Sequence, residues 1–170
     1  MFHQPNDPVF ISRLRRFRIS ALYFMMHEDD VRAAMQFPWV SVGSDAAAGS
    51  RETARGKGHP RAYGNFPRVI ARYVRELHIL TLENAVRRMT SLPAGKLHIA
   101  GRGLLREGSY ADVVVFDFDK IEDTATYADP HQYPRGIPYV LVNGHLVIDR
   151  GEHTGSRPGK IIYGPGHTGR

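Results

Sequence analysis

The sequence has no cysteine, no closely spaced pair of histidines and no long apolar run. Without cysteine, its 170 residues cannot form a disulfide, a thiol nucleophile or a thiolate metal site. Its nine histidines form neither an HxH nor an HExxH pair, so there is no local zinc signature. No apolar stretch reaches the roughly 20 residues of a membrane helix, and the N-terminus lacks the pattern of a signal peptide. We therefore expect a cytoplasmic protein that contacts no membrane.

The composition is that of a folded protein with a basic N-terminal segment. Apolar residues make up 42% of the chain and charged residues 24%, which allows a packed core. The net charge is +6, and residues 12–18 alone contain four arginines: Arg13, Arg15, Arg16 and Arg18. Such a cluster can bind phosphates. Because no nucleic-acid motif accompanies it, we expect a solvated arm and no nucleic-acid partner; DNA binding through these arginines is the alternative.

The first part of the chain has a strand–helix–strand pattern. Residues 19–26 are apolar and β-prone, which predicts a buried strand. Three acidic residues then suit the first turn of a helix that ends before Pro38: Glu28, Asp29 and Asp30. Residues 39–45 predict a second short strand. This order is typical of a βαβ unit with parallel strands.

A long polar loop, residues 46–64, and two helices follow. The first helix is predicted over residues 66–77, with Pro67 in its first turn. The second is predicted over residues 81–92, with Thr81 as N-cap and with Pro93 and Gly95 ending it. The first of them carries an apolar stripe, which predicts packing of one face against a core.

The last part of the chain is rich in short apolar runs. One run lies in residues 110–117, and two more in residues 139–149 are joined by Asn143-Gly144, a strong hairpin signal. The tail beyond residue 150 reads as loop. Neither half is complete by itself, because one βαβ unit cannot cover both faces of a parallel sheet and a few strands leave open edges. We therefore expect a piece of a larger fold, or a chain that pairs with another.

Six ordered segments resemble one enzyme family: VSVGSD, GHPRAYGNFPRVIARYVRE, LTLENAVRRMTSLPAGKL, GRGLLREGSYADVVVFD, ATYADPHQYPRGIPYVLVNG and GEHTGSRPGK. Together they are similar to the C-terminal portion of N-acyl-D-amino-acid deacylases (D-aminoacylases), in the amidohydrolase superfamily. The resemblance runs over residues 19–160. HPRAYGNFPR and GEHTGSRPG are typical of this branch, and the other main alternative, a dihydroorotase- or hydantoinase-like amidohydrolase, leaves the first of them unexplained.

The resemblance implies an α/β fold: the C-terminal fragment of a (β/α)8 amidohydrolase barrel followed by strands of a small β-sandwich domain. Residues 1–18 would be the basic arm. Residues 19–95 would be the last barrel strands and helices, with the eighth barrel strand ending in Asp45. Residues 96–170 would be the C-terminal part of the sandwich, with a loop-like tail.

The resemblance also implies site residues. Asp45 would be the catalytic general base and acid, taking a proton from a metal-bound water and returning it to the leaving amine; its alternative role is to cap a turn. Arg61 would bind the substrate α-carboxylate through its guanidinium fork, and its alternative is a solvent-facing loop residue. His59 would touch substrate or, as we favour, orient the loop. That loop is longer and more basic than is usual in the family, and Ala46 stands where glycine is common.

The implied cofactor is zinc, and the implied reaction is hydrolysis of an N-acyl-D-amino acid, at a non-peptide C–N bond, to a carboxylate and a D-amino acid. The family's metal ligands lie upstream, and only Asp45 is a candidate secondary ligand here, since His3 and His27 lack the matching surroundings. A companion N-terminal polypeptide would have to supply the other ligands, so we expect the chain alone to be inactive. The remaining alternative is a non-catalytic remnant that serves as an interaction module.

Overall fold

The structure, a computed structural model, describes residues 24–47, 49, 58–164 and 166–168. The basic arm with its DNA-binding alternative, His3, most of the predicted strand 19–26, and residues 48 and 50–57 of the loop after Asp45 lie outside these residues. Residues 24–26, which are described, are irregular. No helix in the described ranges is long and apolar enough to cross a membrane.

Helices occupy the first part of the described chain and strands the last part. The helices are α1 (Glu28–Gln36), α2 (Arg61–Arg68), the π-helix π1 (Val69–Glu76), α3 (Leu82–Met89) and α4 (Ser91–Lys96). The strands are β1 (Val113–Val115), β2 (Tyr139–Val142), β3 (His145–Asp149) and β4 (Glu152–His153). They form one antiparallel sheet in the order β1-β2-β3-β4.

Helix α1 forms where the acidic first turn predicted it. His27 caps its start, because the His27 Nδ1 accepts the backbone N–H of Asp29 at 3.3 Å. Glu28 ties the helix to π1, with its Oε1 3.5 Å from the Arg72 Nε and its Oε2 3.4 Å from the Tyr73 hydroxyl. Burial and the neighbouring Glu28 raise the pKa of Tyr73, so the phenol stays protonated and donates to the carboxylate.

The helix predicted over residues 66–77 starts five residues earlier, at Arg61. Pro67 therefore lies inside α2 rather than at its start. Proline has no N–H to offer the preceding turn, and directly after Arg68 the helix widens into π1. The predicted apolar stripe is confirmed, since Val69, Ile70, Tyr73 and Val74 are all buried. Val69 and Val74 form a core with Leu80 and Ala85, against which Met35 and Val42 pack.

Helix α3 begins as predicted and ends differently. The Thr81 Oγ1 accepts the N–H of Asn84 at 3.2 Å, which confirms the N-cap. The expectation that Pro93 and Gly95 end this helix is wrong, because both lie within α4. Pro93 is tolerated there because the first N–H groups of a helix have no partner inside it.

The strand predicted over residues 39–45 is wrong, because the segment is irregular and no described residue pairs with it in a ladder. Its backbone groups need partners, and side chains of α3 and α4 supply them. The carbonyls of residues 38, 39 and 40 accept from Arg87, Lys96 and Arg88 respectively. The Val42 N–H donates to the carbonyl of residue 88 at 3.1 Å. The described residues therefore contain no parallel βαβ unit.

The hairpin is confirmed. Asn143 and Gly144 both have positive φ, 49° and 80°, as a type I′ turn between β2 and β3 requires. The Asp112 carboxylate holds this turn, accepting the Asn143 N–H at 2.8 Å and contacting the Arg102 guanidinium. β1 is shorter than the predicted run 110–117. The tail is not all loop, because β4 extends the sheet.

One connection, residues 117–136, packs along α2 and π1; we call it the clasp segment. Arg75 binds it by donating from Nη1 to the carbonyls of Phe118 (2.8 Å) and Ile121 (2.9 Å). The Ile121 side chain is 1% exposed. Gly136 has φ 77° and lies against the Ile121 backbone, where a Cβ would not fit. The segment is thereby fixed to the helices near its start.

Candidate active site

Asp45 lies at the end of the irregular segment and projects a carboxylate into solvent. Its φ is 48°, a left-handed conformation that aspartate tolerates better than most residues. Its side chain is 85% exposed. The carboxylate is thus open to a ligand from the solvent side.

Arg61 faces Asp45 from the first turn of α2. Its Nη2 lies 2.7 Å from the Asp45 Oδ2, the length of a charge-assisted hydrogen bond. The two predicted site residues are therefore together in space, although they are 16 positions apart in the sequence. Exposed pairs of this kind contribute at most about 1 kcal/mol. Arg61 can accordingly exchange one carboxylate partner for another at little cost.

Asn65 and Arg88 join Arg87 and Lys96 in holding the segment that ends in Asp45. The Asn65 Nδ2 donates to the carbonyl of Gly43 at 3.3 Å. Arg88, only 2% exposed, donates from Nε to the Asn84 Oδ1 at 2.6 Å and from Nη1 to the Val40 carbonyl at 3.2 Å. Burial lowers the pKa of Arg88. Neither residue was predicted as part of the site, because an asparagine or arginine at these helix positions looks like an ordinary surface residue.

His59 sits beside the pair and stabilises the turn into α2. Its Nδ1 accepts the backbone N–H of Arg61 at 3.1 Å. Burial lowers the pKa of His59; Arg61 lowers it further, and Asp45 partly offsets both. The imidazole is therefore neutral at neutral pH. That His59 orients the loop stays a prediction.

The clasp segment places aromatic and histidine side chains next to this turn. The Tyr127 hydroxyl is 3.5 Å from the His59 Nε2, and the two rings meet edge-on with centroids 5.2 Å apart. The Tyr63 hydroxyl is 3.2 Å from the His131 Nδ1. These contacts were not predicted. The sequence offers only a weak signal for them: His59 and Tyr63 are four residues apart, and so are Tyr127 and His131.

The described residues do not form a zinc site by themselves. Across residues 24–47, 49, 58–164 and 166–168, no three side chains of His, Asp or Glu lie close enough to share a metal ion. A zinc ion takes three or four protein ligands. Asp45 offers one exposed carboxylate, so its role as a secondary ligand stays a prediction.

Comparisons with family profiles and with known proteins agree on one family. The Amidohydrolase family profile matches residues 1–148. The chain is 45% identical over 142 residues to the N-acyl-D-glutamate deacylase of Alcaligenes xylosoxydans xylosoxydans, a match that covers 84% of this chain and 28% of that protein.

Solved structures agree with the sequence match. A crystal structure of D-aminoacylase superposes with a TM-score of 0.73 at 41% identity, covering 79% of this chain and 27% of that one. The N-acyl-D-glutamate deacylase from Bordetella bronchiseptica, solved with zinc and a phosphonate mimic of the tetrahedral intermediate, gives 0.68 at 48% identity, covering 74% and 25%. The chain thus spans about a quarter of the length of these relatives.

Proposed function

Because the chain belongs to the amidohydrolase family, we propose that it is the C-terminal share of a zinc-dependent N-acyl-D-amino-acid deacylase. The substrate would be an N-acyl-D-amino acid, and the products a carboxylate and a D-amino acid. The names of the similar proteins support this substrate class. In the proposed fold, the segment that ends in Asp45 takes the place of the last strand of a (β/α)8 barrel, and β1–β4 belong to a small β-sandwich.

Asp45 is the general base and acid in this proposal. Its carboxylate accepts a proton from the attacking water at Oδ1 or Oδ2 and passes it to the nitrogen of the leaving amine. A group in this role needs access to the reacting atoms, and the 85% exposure of the Asp45 side chain supports such access. The hydrogen bonds from Asn65 and Arg88 support a fixed position for the segment that carries it.

Arg61 binds the α-carboxylate of the substrate. The observation that supports this assignment is the 2.7 Å contact of its Nη2 with the Asp45 carboxylate, because the guanidinium lies where a carboxylate can reach it. The planar fork can engage both oxygens of a substrate carboxylate. When the substrate takes over this contact, the Asp45 carboxylate is released for proton transfer.

Zinc, when bound, would lower the pKa of the attacking water to about 7. Because the described residues do not suffice as ligands, we propose that the other ligands come from a companion N-terminal polypeptide or from a longer parent chain. The chain by itself would then be inactive.

The test is a chimera. The segment of the Alcaligenes N-acyl-D-glutamate deacylase that matches this chain is replaced by the chain, and zinc-loaded protein is assayed with N-acetyl-D-glutamate and N-acetyl-D-methionine. The proposal expects turnover by the chimera, with the L-enantiomers left intact, and none by the isolated chain with zinc. A folded, zinc-bound chimera without activity on either D-substrate would refute the proposal and favour a non-catalytic interaction module.

A further inference from the structure

Two tyrosine–histidine pairs connect the start of α2 to the clasp segment. His59 meets Tyr127, and Tyr63 meets His131. His59 and Tyr63 are four residues apart near the start of α2, and Tyr127 and His131 are four residues apart in the clasp segment, in the opposite order. His59 and Tyr63 flank Arg61 in the sequence, one on each side.

The contacts of His59 define its tautomer. Its Nδ1 accepts the Arg61 N–H, so this nitrogen carries a lone pair. In a neutral imidazole the proton is then on Nε2, which points to the Tyr127 hydroxyl at 3.5 Å. His59 therefore links the clasp segment to the Arg61 backbone through its two ring nitrogens.

We propose that Tyr127 and His59 form a positioning pair that holds Arg61 opposite Asp45. Their importance for the reaction rests on the proposed function of Arg61. Neither residue needs to touch the substrate for this role. An arginine side chain loses much rotamer freedom when it is held in one place, and a fixed backbone at Arg61 reduces the number of positions that its guanidinium can reach.

The clasp segment is suited to this task because further polar contacts bind it to α2 and π1. Arg68 and Asp123 form an ion pair at 3.7 Å, and the Asp123 side chain is only 9% exposed. Arg75 binds the carbonyls of Phe118 and Ile121. Tyr127 therefore projects from a segment that is anchored to the same helix that carries Arg61.

The experiment uses the full 170-residue chain without zinc or substrate, so that it stands apart from the test of activity. NMR measures three quantities: the amide exchange of Arg61, the order of its Nε–H bond from 15N relaxation, and the tautomer of His59 from its ring 15N shifts. The variants are His59→Ala, His59→Asn and Tyr127→Phe. His27→Ala is the matched control, since His27 makes the same kind of Nδ1 contact at α1, far from Arg61 in the sequence.

We expect wild-type His59 to carry its proton on Nε2. His59→Ala should speed exchange of the Arg61 amide about fivefold or more and lower the order of Nε–H. His59→Asn should restore both, because its Oδ1 can accept the Arg61 N–H. Tyr127→Phe should raise the Nδ1–H fraction of His59 and speed Arg61 exchange about twofold, and His27→Ala should leave Arg61 unchanged.

Unchanged Arg61 exchange in His59→Ala would overturn the proposal. So would an equal effect of His27→Ala, or a failure of His59→Asn to rescue, since either would indicate a general loss of packing. A positive NMR result with an inactive chimera would refute only the proposed function and leave the positioning pair intact.

Discussion

Arg61 and Asp45 form an ion pair, with the Arg61 Nη2 2.7 Å from the Asp45 Oδ2, at the point where an irregular segment meets the first turn of α2. The pair brings the proposed substrate clamp and the proposed general base into direct contact. Because both side chains are open to solvent, the contact is weak enough to be exchanged.

Replacing Arg61 by lysine should weaken substrate binding more than the chemical step. Lysine keeps the charge and loses the fork. Loss of charged hydrogen bonds of this kind costs about 1.5–3 kcal/mol, so KM of the active chimera should rise roughly 10- to 100-fold with a smaller change in kcat. Arg68→Lys, on the same helix, is the control. A KM that stays at the wild-type value would exclude Arg61 as the clamp.

Gly64→Ala should destabilise the fold, although alanine is the better helix former. A Cβ at Gly64 would overlap the Asp123 carboxylate, which is buried against α2. Overpacking of this kind costs about 1–3 kcal/mol, more than the roughly 1 kcal/mol gained in helix propensity. Gly95→Ala in α4, where a Cβ meets nothing within 4 Å, should instead stabilise. Urea unfolding measures both, and equal shifts of the two midpoints would contradict the packing at Gly64.

Arg88→Met should lower stability and loosen the segment that carries Asp45. Methionine keeps much of the volume but leaves the Asn84 Oδ1 and the Val40 carbonyl without their donor. Such losses cost about 1–3 kcal/mol in the free energy of unfolding. Arg87→Met removes a similar bond to the Pro38 carbonyl at an exposed site, where water can replace it, and should cost less than about 0.5 kcal/mol. Similar losses of stability in the two variants would show that the burial of Arg88 does not determine the cost of removing its hydrogen bonds.

His59 should make the fold less stable in mild acid. Its pKa in the folded chain lies below the usual 6.5, mainly through burial and then through Arg61. Between the pKa of His59 in the folded chain and its pKa in the unfolded chain, the unfolded chain binds more protons. The contribution of His59 to the free energy of unfolding is therefore fully present above about pH 6.5 and falls as the pH drops below it. The charged and titratable groups that face His59 are Asp45 at the end of the irregular segment, Arg61 in α2 and Tyr127 in the clasp segment. His59→Asn should lack this part of the pH dependence; an identical pH profile of unfolding would rule out His59 as its source.

The sequence predicted most of what depends on local pattern. The family resemblance from six ordered segments is confirmed. The Thr81 cap and the Asn143-Gly144 turn are confirmed too, because each depends on a few adjacent residues. The start of α2 was misplaced because Pro67 reads as a first-turn residue, whereas the helix already begins at Arg61, whose N–H donates to the His59 Nδ1.

Long-range contacts could not be predicted in the same way. The run of residues 39–45 indicated a strand, yet a strand also needs a paired neighbour. In the described chain Arg87, Arg88 and Lys96 bind the carbonyls of residues 38–40 instead. Tyr127 and His59 are 68 positions apart, and nothing in either local sequence predicts their contact. The domain boundaries near residues 18 and 95 and the roles of Asp45, Arg61 and His59 remain predictions.

The most direct test of the central claim is the kcat of Asp45→Asn in the zinc-loaded chimera. Asparagine has almost the same shape and cannot take up a proton, so kcat should fall about 10²- to 10⁴-fold. KM and zinc content should change far less, since Asp45 would be at most a secondary ligand. An Asp45→Asn chimera that retains zinc and turns over N-acetyl-D-glutamate at the wild-type rate would contradict the claim that Asp45 is the general base.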